Sequence, residues 1–164
     1  DKLRKAGAEV EEFDDSIRVR RTGPILPVNV KTMPHPGFPT DMQPQMATML
    51  CCAGGTSIIS EGVWDNRFKY VDELRKMGAN IQVDGKVAVI EGVEQLTGAP
   101  VRALDLRAGA AMLIAGLMAD GCTEVEDIHH IERGYSDLVE KLNRLGADIR
   151  KVTCSDNETE RALS

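Results

Sequence analysis

Apolar positions along this chain fall into two helical patterns and one strand pattern. From Arg67 to Met77, Phe68, Val71 and Leu74 share one spacing and Tyr70, Leu74 and Met77 another, with charged residues between them. Apolar residues three and four apart lie on one helix face, so this stretch predicts a surface helix with a single buried side. Tyr135 to Leu145, with Leu138, Leu142 and Leu145, repeats the pattern. Leu106 to Ala119 is apolar all round and rich in Ala and Gly, and Met42 to Cys52 is similar. Helices of that kind are expected to be enclosed on every side. Ile81 to Val83 and Val87 to Ile90 predict two strands joined by a turn at Asp84-Gly85.

These patterns recur with a period. Leu3 to Val10 (LRKAGAEV) returns as Leu74 to Ile81 (LRKMGANI) and as Leu142 to Ile149 (LNRLGADI). Each copy reads as the last turn of a helix, a glycine just past its end, and a strand starting at once. Glycine suits that position because the chain turns there through a left-handed conformation that a Cβ penalises. Gly55-Thr56-Ser57-Ile58-Ile59 matches Gly121 to Val125, Asn66-Arg67-Phe68 matches Glu132-Arg133-Gly134, and Thr40-Asp41-Met42-Gln43 matches Leu104 to Arg107. One repeat therefore runs through an apolar inner helix, a strand, an amphipathic outer helix and two strands. The expected fold class is α/β (α+β), with sheets and outer helices wrapped around buried inner helices. The chain opens inside a helix, so residues 1–154 read as the end of one repeat plus two full repeats, and 155–164 as a polar tail: a fragment of a larger domain.

Composition narrows the function. The 164 residues are 42% hydrophobic and 28% charged, which excludes global disorder, and 4% aromatic, which makes the core aliphatic. The formal charge of −6 argues against a nucleic-acid partner, since phosphate backbones require a cationic face. Ala108 to Ala119 is too short to span a bilayer, so no membrane partner is expected. Cys51, Cys52, Cys122 and Cys154 form no C-x-x-C pair and follow no export signal. They read as reduced thiols of a cytoplasmic protein. No His or Cys grouping has zinc spacing, so no metal and no cofactor are expected.

Both inner helices begin with an Asp. Pro44 lacks an N–H and belongs in a first helical turn, so Asp41 is expected as the N-cap with Pro44 as third helical residue, and Asp105 as the cap of the other helix. Arg107 follows in the first turn, where the helix dipole already favours anions. Arg67 and Arg133 occupy equivalent points of two repeats. Singly, each reads as a solvated charge; together they can converge on one multiply charged anion, because guanidinium forks grip phosphate and carboxylate at two points. Between Lys31 and Asp41 lie three prolines, which make a stiff loop leading into an inner helix.

Four strings carry a resemblance. Pro34 to Gln43 (PHPGFPTDMQ) resembles P-Y-P-G-F-P-T-D-M-Q of the enolpyruvyl transferase family, in its branch acting on UDP-N-acetylglucosamine. Glu61 to Phe68 (EGVWDNRF) resembles E-x-V-F-E-N-R-F, Leu104 to Ala108 (LDLRA) resembles T-D-L-R-A, and Ile128 to Tyr135 (IHHIERGY) resembles I-Y-H-I-D-R-G-Y. The resemblance implies an inverse α/β barrel built from βαβαββ-type repeats, in a two-domain enzyme with its active site in the cleft. It implies transfer of enolpyruvate from phosphoenolpyruvate to the sugar 3′-hydroxyl, the first committed step of peptidoglycan synthesis. It implies that Asp41 contacts the sugar hydroxyl and is the candidate base, that Val63 contacts the nucleotide sugar, and that Arg133 holds phosphoenolpyruvate. Asp105, Arg67 and Arg107 would line the same cleft. The catalytic set is then Asp41, Asp105 and Arg133, and the binding set Asp41, Val63, Arg67, Arg107 and Arg133. His35, Trp64-Asp65, Leu104 and Glu132 depart from the family strings. The family's cysteine loop and N-terminal Lys-Asn pair have no counterpart, so the missing other domain is an expected partner and the isolated chain is expected to be inactive. A shikimate-phosphate enzyme of the same architecture and a non-catalytic repeat scaffold are the alternatives.

Overall fold

The computed structural model describes residues 1–153; Cys154 and the expected polar tail, Ser155 to Ser164, lie outside them. The chain up to Gly134 forms one compact unit, and from Tyr135 another begins.

In the first unit a short helix α1 (Lys2–Lys5) feeds an antiparallel hairpin, β1 (Ala8–Glu12) and β2 (Ile17–Arg21). One complete repeat follows: β3 (Val30–Lys31), α2 (Gln43–Leu50), β4 (Thr56–Ser60), α3 (Val71–Lys76), β5 (Asn80–Asp84) and β6 (Val87–Glu91). Its strands form one sheet in the order β3-β4-β6-β5, parallel between β3 and β4 and antiparallel elsewhere. This is the expected βαβαββ order. The next repeat opens the same way. β7 (Pro100–Arg102) runs parallel to β8 (Glu124–Glu126), joined through α4 (Leu106–Met118), and a short α5 (His129–Glu132) follows. Parallel neighbours need a crossover, and the helix supplies it.

The two inner helices, α2 and α4, pack against each other in the core. Met46, Ala47 and Leu50 of one and Ala108, Ala111, Met112 and Ala115 of the other are buried. Close approach explains the small residues. A Cβ at Gly109 would come 2.5 Å from Ile131 Cγ1 on α5 and 3.0 Å from the Ala103 Cβ. The expectation of complete enclosure holds for residues 108–112 of α4 and fails at both ends, where Leu106, Arg107, Leu113 and Ile114 are partly exposed and Leu117 is exposed.

Three further expectations shift. The outer helix divides into a 3-10 turn at Arg67–Tyr70 and α3, because Phe68 and Tyr70 are both buried. Residues two apart point to nearly opposite sides of an α-helix, and a tighter turn with a break at Phe68 brings both inward. Not every intervening charge on α3 faces water: Glu73 is buried, accepting from Lys76 Nζ at 2.8 Å and from the Arg102 backbone N–H of β7 at 2.9 Å. In the hairpin, Asp84 pairs with Val87, so the turn residues are Gly85-Lys86, one later than expected.

The repeated helix ends form as expected. Gly7, Gly78 and Gly146 have φ of +91°, +88° and +96°. After Gly78 the paired bonds of a Schellman turn close, from the Gly78 N–H to the Arg75 oxygen and from the Ala79 N–H to the Leu74 oxygen. In the second unit α6 (Leu138–Arg144), starting three residues later than the pattern suggests, ends on the same bonds at Gly146 and Ala147. Among the described residues no paired strand follows it, whereas the first two copies find a hairpin partner. None of α6's residues is buried, so its apolar stripe does not form the buried face expected of it.

Candidate active site

Three elements of the first unit bring charge together. Asp41 lies on a 3-10 turn, Thr40–Met42, that leads into α2. Arg67 opens the turn before α3, positioned by Asn66 in a left-handed conformation, φ 54°. Arg107 is in the first turn of α4. Arg67 Nη2 donates to Asp41 Oδ1 at 2.9 Å, and Arg107 Nη2 donates to Asp41 Oδ2 at 2.8 Å. One carboxylate thus bridges two guanidinium groups from two successive repeats. The hydrogen bond from Arg107 and the positive charges of Arg107 and Arg67 hold the Asp41 carboxyl below its ordinary value, against a smaller opposing effect of partial burial. The Arg67 side chain is only 17% exposed, and its Nε is buried with no hydrogen-bond partner.

The expectation that Asp41 caps α2 is overturned. The helix begins at Gln43 with Met42 before it, Pro44 is its second residue, and no side chain caps it. Asp105 does what was expected of both. Its Oδ1 accepts from the N–H groups of Arg107 and Ala108, each at 2.8 Å, and its backbone is extended. The difference lies in the loop lengths. Thr32 N–H donates to the Ser60 oxygen beyond β3, and Ala103 N–H donates to the Glu126 oxygen beyond β7. That alignment sets Lys31 opposite Arg102, 71 residues on, while Asp41 and Asp105 are 64 apart, so the first repeat carries seven extra residues between its strand and this Asp. The proline loop holds the insertion. It closes on itself through the Met33 N–H to the Phe38 oxygen and the Gly37 N–H to the Pro34 oxygen. Asp41 therefore arrives on a turn of its own rather than in the extended cap conformation.

Arg133 ends α5 and is exposed, with no ion pair among the described residues. Its neighbour Gly134 sits against α4, where a Cβ would come 2.7 Å from Leu106 Cδ2. The Arg133–Gly134 peptide thereby lies beside the turn that bears Asp105 and Arg107. Asp41, Arg67, Arg107, Asp105 and Arg133 all belong to this end of the inner helices. Val63 is 39% exposed on the loop after β4, with its N–H already donated to Glu61 Oε1 at 2.8 Å. A ligand would meet its side chain or carbonyl.

Glu61 itself was not singled out, and neither was the buried pair in which Tyr70 OH donates to Gln43 Oε1 at 3.0 Å. Glu61 is 3% exposed and accepts four hydrogen bonds, described below. Its place at the head of the EGVWDNRF string was the available signal. Cys51 is buried, and desolvation, with the neighbouring Cys52 thiol, pushes its thiol up to about 12, so it is inert at neutral pH. Among the described residues no three His, Cys, Asp or Glu side chains are grouped to hold a metal, and no helix is long and apolar enough to cross a membrane.

A fold of repeated βαβ units with arginines gathered at the inner-helix ends defines a class, and comparison with known proteins agrees. The family model described as EPSP synthase (3-phosphoshikimate 1-carboxyvinyltransferase) matches residues 1–142, and the chain belongs to that family. Within it the chain is 58% identical over 151 residues to UDP-N-acetylglucosamine 1-carboxyvinyltransferase 3 of Caldanaerobacter subterraneus subsp. tengcongensis, covering 92% of this chain and 36% of that protein. It is 57% identical over 148 residues to UDP-N-acetylglucosamine 1-carboxyvinyltransferase of Desulfofundulus thermocisternus, covering 90% and 61%. The enolpyruvyl transferase NikO from Streptomyces tendae superposes with a TM-score of 0.85 at 37% identity, over 94% of this chain and 36% of that one. EPSP synthase from Acinetobacter baumannii, at 20% identity and a TM-score of 0.60, shares the fold. The chain thus spans between about a third and three-fifths of the length of these relatives.

Proposed function

We propose that the protein containing this chain transfers enolpyruvate from phosphoenolpyruvate to the 3′-hydroxyl of UDP-N-acetylglucosamine and releases phosphate. The bridged Asp41–Arg67–Arg107 cluster carries the reading. Two strings typical of the nucleotide-sugar branch meet there, the PGFPTDMQ loop through Asp41 and the NRF turn through Arg67, together with the DLR helix start through Arg107. The relatives at 57–58% identity bear names that specify this acceptor.

The chemistry is addition to a vinyl carbon followed by elimination. The acceptor hydroxyl loses its proton as its oxygen bonds to the substituted carbon, the methylene carbon gains a proton, and phosphate then leaves as that proton is lost again. The step needs a base, an acid and cations for a trianionic donor. Arg67, Arg107 and Arg133 are the cations, Asp41 the base, and Asp105 holds the helix end that carries Arg107. Val63 meets the nucleotide sugar. With both guanidinium groups on Asp41 the carboxylate is a weak base. A phosphate or carboxylate that draws either Arg away returns it toward ordinary basicity, so donor binding and base activation are linked. The remaining contacts come from the rest of the polypeptide. A cytoplasmic role in bacterial peptidoglycan and cell-wall synthesis follows from this acceptor.

The test is phosphate release by the full-length protein from phosphoenolpyruvate, with UDP-N-acetylglucosamine or shikimate 3-phosphate as acceptor. Turnover with the nucleotide sugar alone is expected. Turnover with shikimate 3-phosphate alone would overturn the assignment in favour of the reaction for which the matching family model is named.

A further inference from the structure

A buried carboxylate with no ion pair among the described residues stands beside the cluster. Glu61 Oε1 accepts from Thr32 Oγ1 at 2.7 Å, from the Val63 N–H at 2.8 Å and from the Trp64 N–H at 3.1 Å, and Oε2 accepts from Thr40 Oγ1 at 3.0 Å. Thr32 Oγ1 in turn accepts from the Gly62 N–H at 2.8 Å. All four partners of the carboxylate are neutral. Burying an anion is costly unless its oxygens are fully bonded, and a hydrophobic replacement would often serve stability as well. Here the bonds do something more specific. Those from Val63 and Trp64 fix the loop after β4, and the one from Thr40 fixes the residue next to Asp41. Thr32 ties both to the end of β3.

The second repeat shows that the scaffold does not require this arrangement. By the same strand alignment, Asp127 stands where Glu61 stands and Ala103 where Thr32 stands. Asp127 adopts a left-handed backbone and pairs with Arg102 at 2.7 Å through a side chain that is 35% exposed. The β7–α4–β8 crossover forms nonetheless. The buried Glu occurs in the repeat with the seven-residue insertion, where a long loop needs an anchor.

We propose that Glu61 is a positioning residue that couples the Val63 loop to the Asp41 turn, so that both meet the acceptor in a fixed register. This rests on the function proposed above for Val63 and Asp41, but the coupling can be measured without it. Amide hydrogen exchange of the full-length protein is followed in residues 62–66 and 38–42. Glu61→Ala is expected to speed exchange in both segments at once. Thr40→Val cuts one strand of the network; it is expected to speed exchange in 38–42 alone and to lower kcat ~10-fold or more, because small displacements of a reacting group weigh heavily on rate. Thr40→Ser restores both. If folded Glu61→Ala leaves either segment's exchange unchanged, the coupling is refuted, and if that variant does not fold, Thr40→Val decides. If Thr40→Val loosens 38–42 yet keeps kcat and both KM values within ~twofold of the parent, Glu61 serves stability alone and the proposal is overturned. A parent protein inactive on the nucleotide sugar sinks the proposed function; the exchange arm then decides the coupling by itself.

Discussion

Asp41 and Asp105 occupy matching points of two repeats, and the same substitution should separate them. At Asp105 the carboxylate accepts two backbone N–H groups through one oxygen, Oδ1. Asn keeps that oxygen, so Asp105→Asn is expected to change stability by less than ~0.5 kcal/mol, and Asp105→Ala to cost about 1 kcal/mol. At Asp41 the partners are guanidinium groups on both oxygens. Asn accepts from one and points an NH2 at the other. Charge-assisted bonds to mostly buried groups contribute about 1.5–3 kcal/mol, and exposed ion pairs ~0.2–1 kcal/mol. Arg67, 17% exposed, belongs nearer the first range, but its partner Asp41 is 53% exposed, and Arg107, at 38%, belongs in the second. Discounted for solvent in this way, Asp41→Asn should cost about 1–2 kcal/mol. The loss should shrink between ~0.02 M and ~0.5 M salt as the ion pairs of the parent are screened. Urea melts of the full-length protein at both salt concentrations, beside steady-state kinetics, read all of this. Turnover should also fall roughly 10²-fold, the scale for a general base. If Asp41→Asn is as silent as Asp105→Asn at low salt, the bridge contributes nothing and the argument from its geometry fails.

Three more expectations follow from the structure. The Asp41 carboxyl is held below its usual range by its arginines, and that of Glu61 by hydrogen bonds from Thr32, Val63, Trp64 and Thr40 that together outweigh its desolvation. A depressed folded-state value contributes stability above the unfolded value and loses it as pH falls, so melting temperature should drop below about pH 4.5, and Glu61→Gln should flatten that drop. Gly109→Ala places a methyl against Ile131 and Ala103 and should cost ~1–3 kcal/mol by overpacking, with a raised KM for phosphoenolpyruvate because α5 carries Arg133. The 164-residue chain alone should release no phosphate above trace from the two substrates, since positioning groups supplied elsewhere in the polypeptide account for many orders of magnitude in rate; steady turnover by the purified chain would contradict this.

Much of this was legible in the residues, for identifiable reasons. The Gly7, Gly78 and Gly146 helix ends could be read because left-handed backbone selects glycine regardless of tertiary context. The inner helices could be read because continuous apolarity has one meaning in a chain of this charge. Asp41 could not be read correctly by spacing. Asp followed by Pro three residues on fits an N-cap, and only the seven-residue insertion, visible once β3 and β7 are aligned, moves it off the helix. Glu61 and Glu73 escaped because patterning assigns charge to water, whereas each finds enough donors to stay buried. The break at Phe68 is a compromise between two buried aromatics that periodicity treats as alternatives.

The insertion has a consequence for how such a protein changes over time. A repeated turn provides two copies of one instruction, and only one has to be obeyed. The copy at Asp105 holds its helix by the backbone. The copy at Asp41, relieved of that duty by the lengthened loop, is at liberty to hold a side-chain charge instead. Redundancy of architecture has become division of labour, and the price of novelty is one uncapped helix.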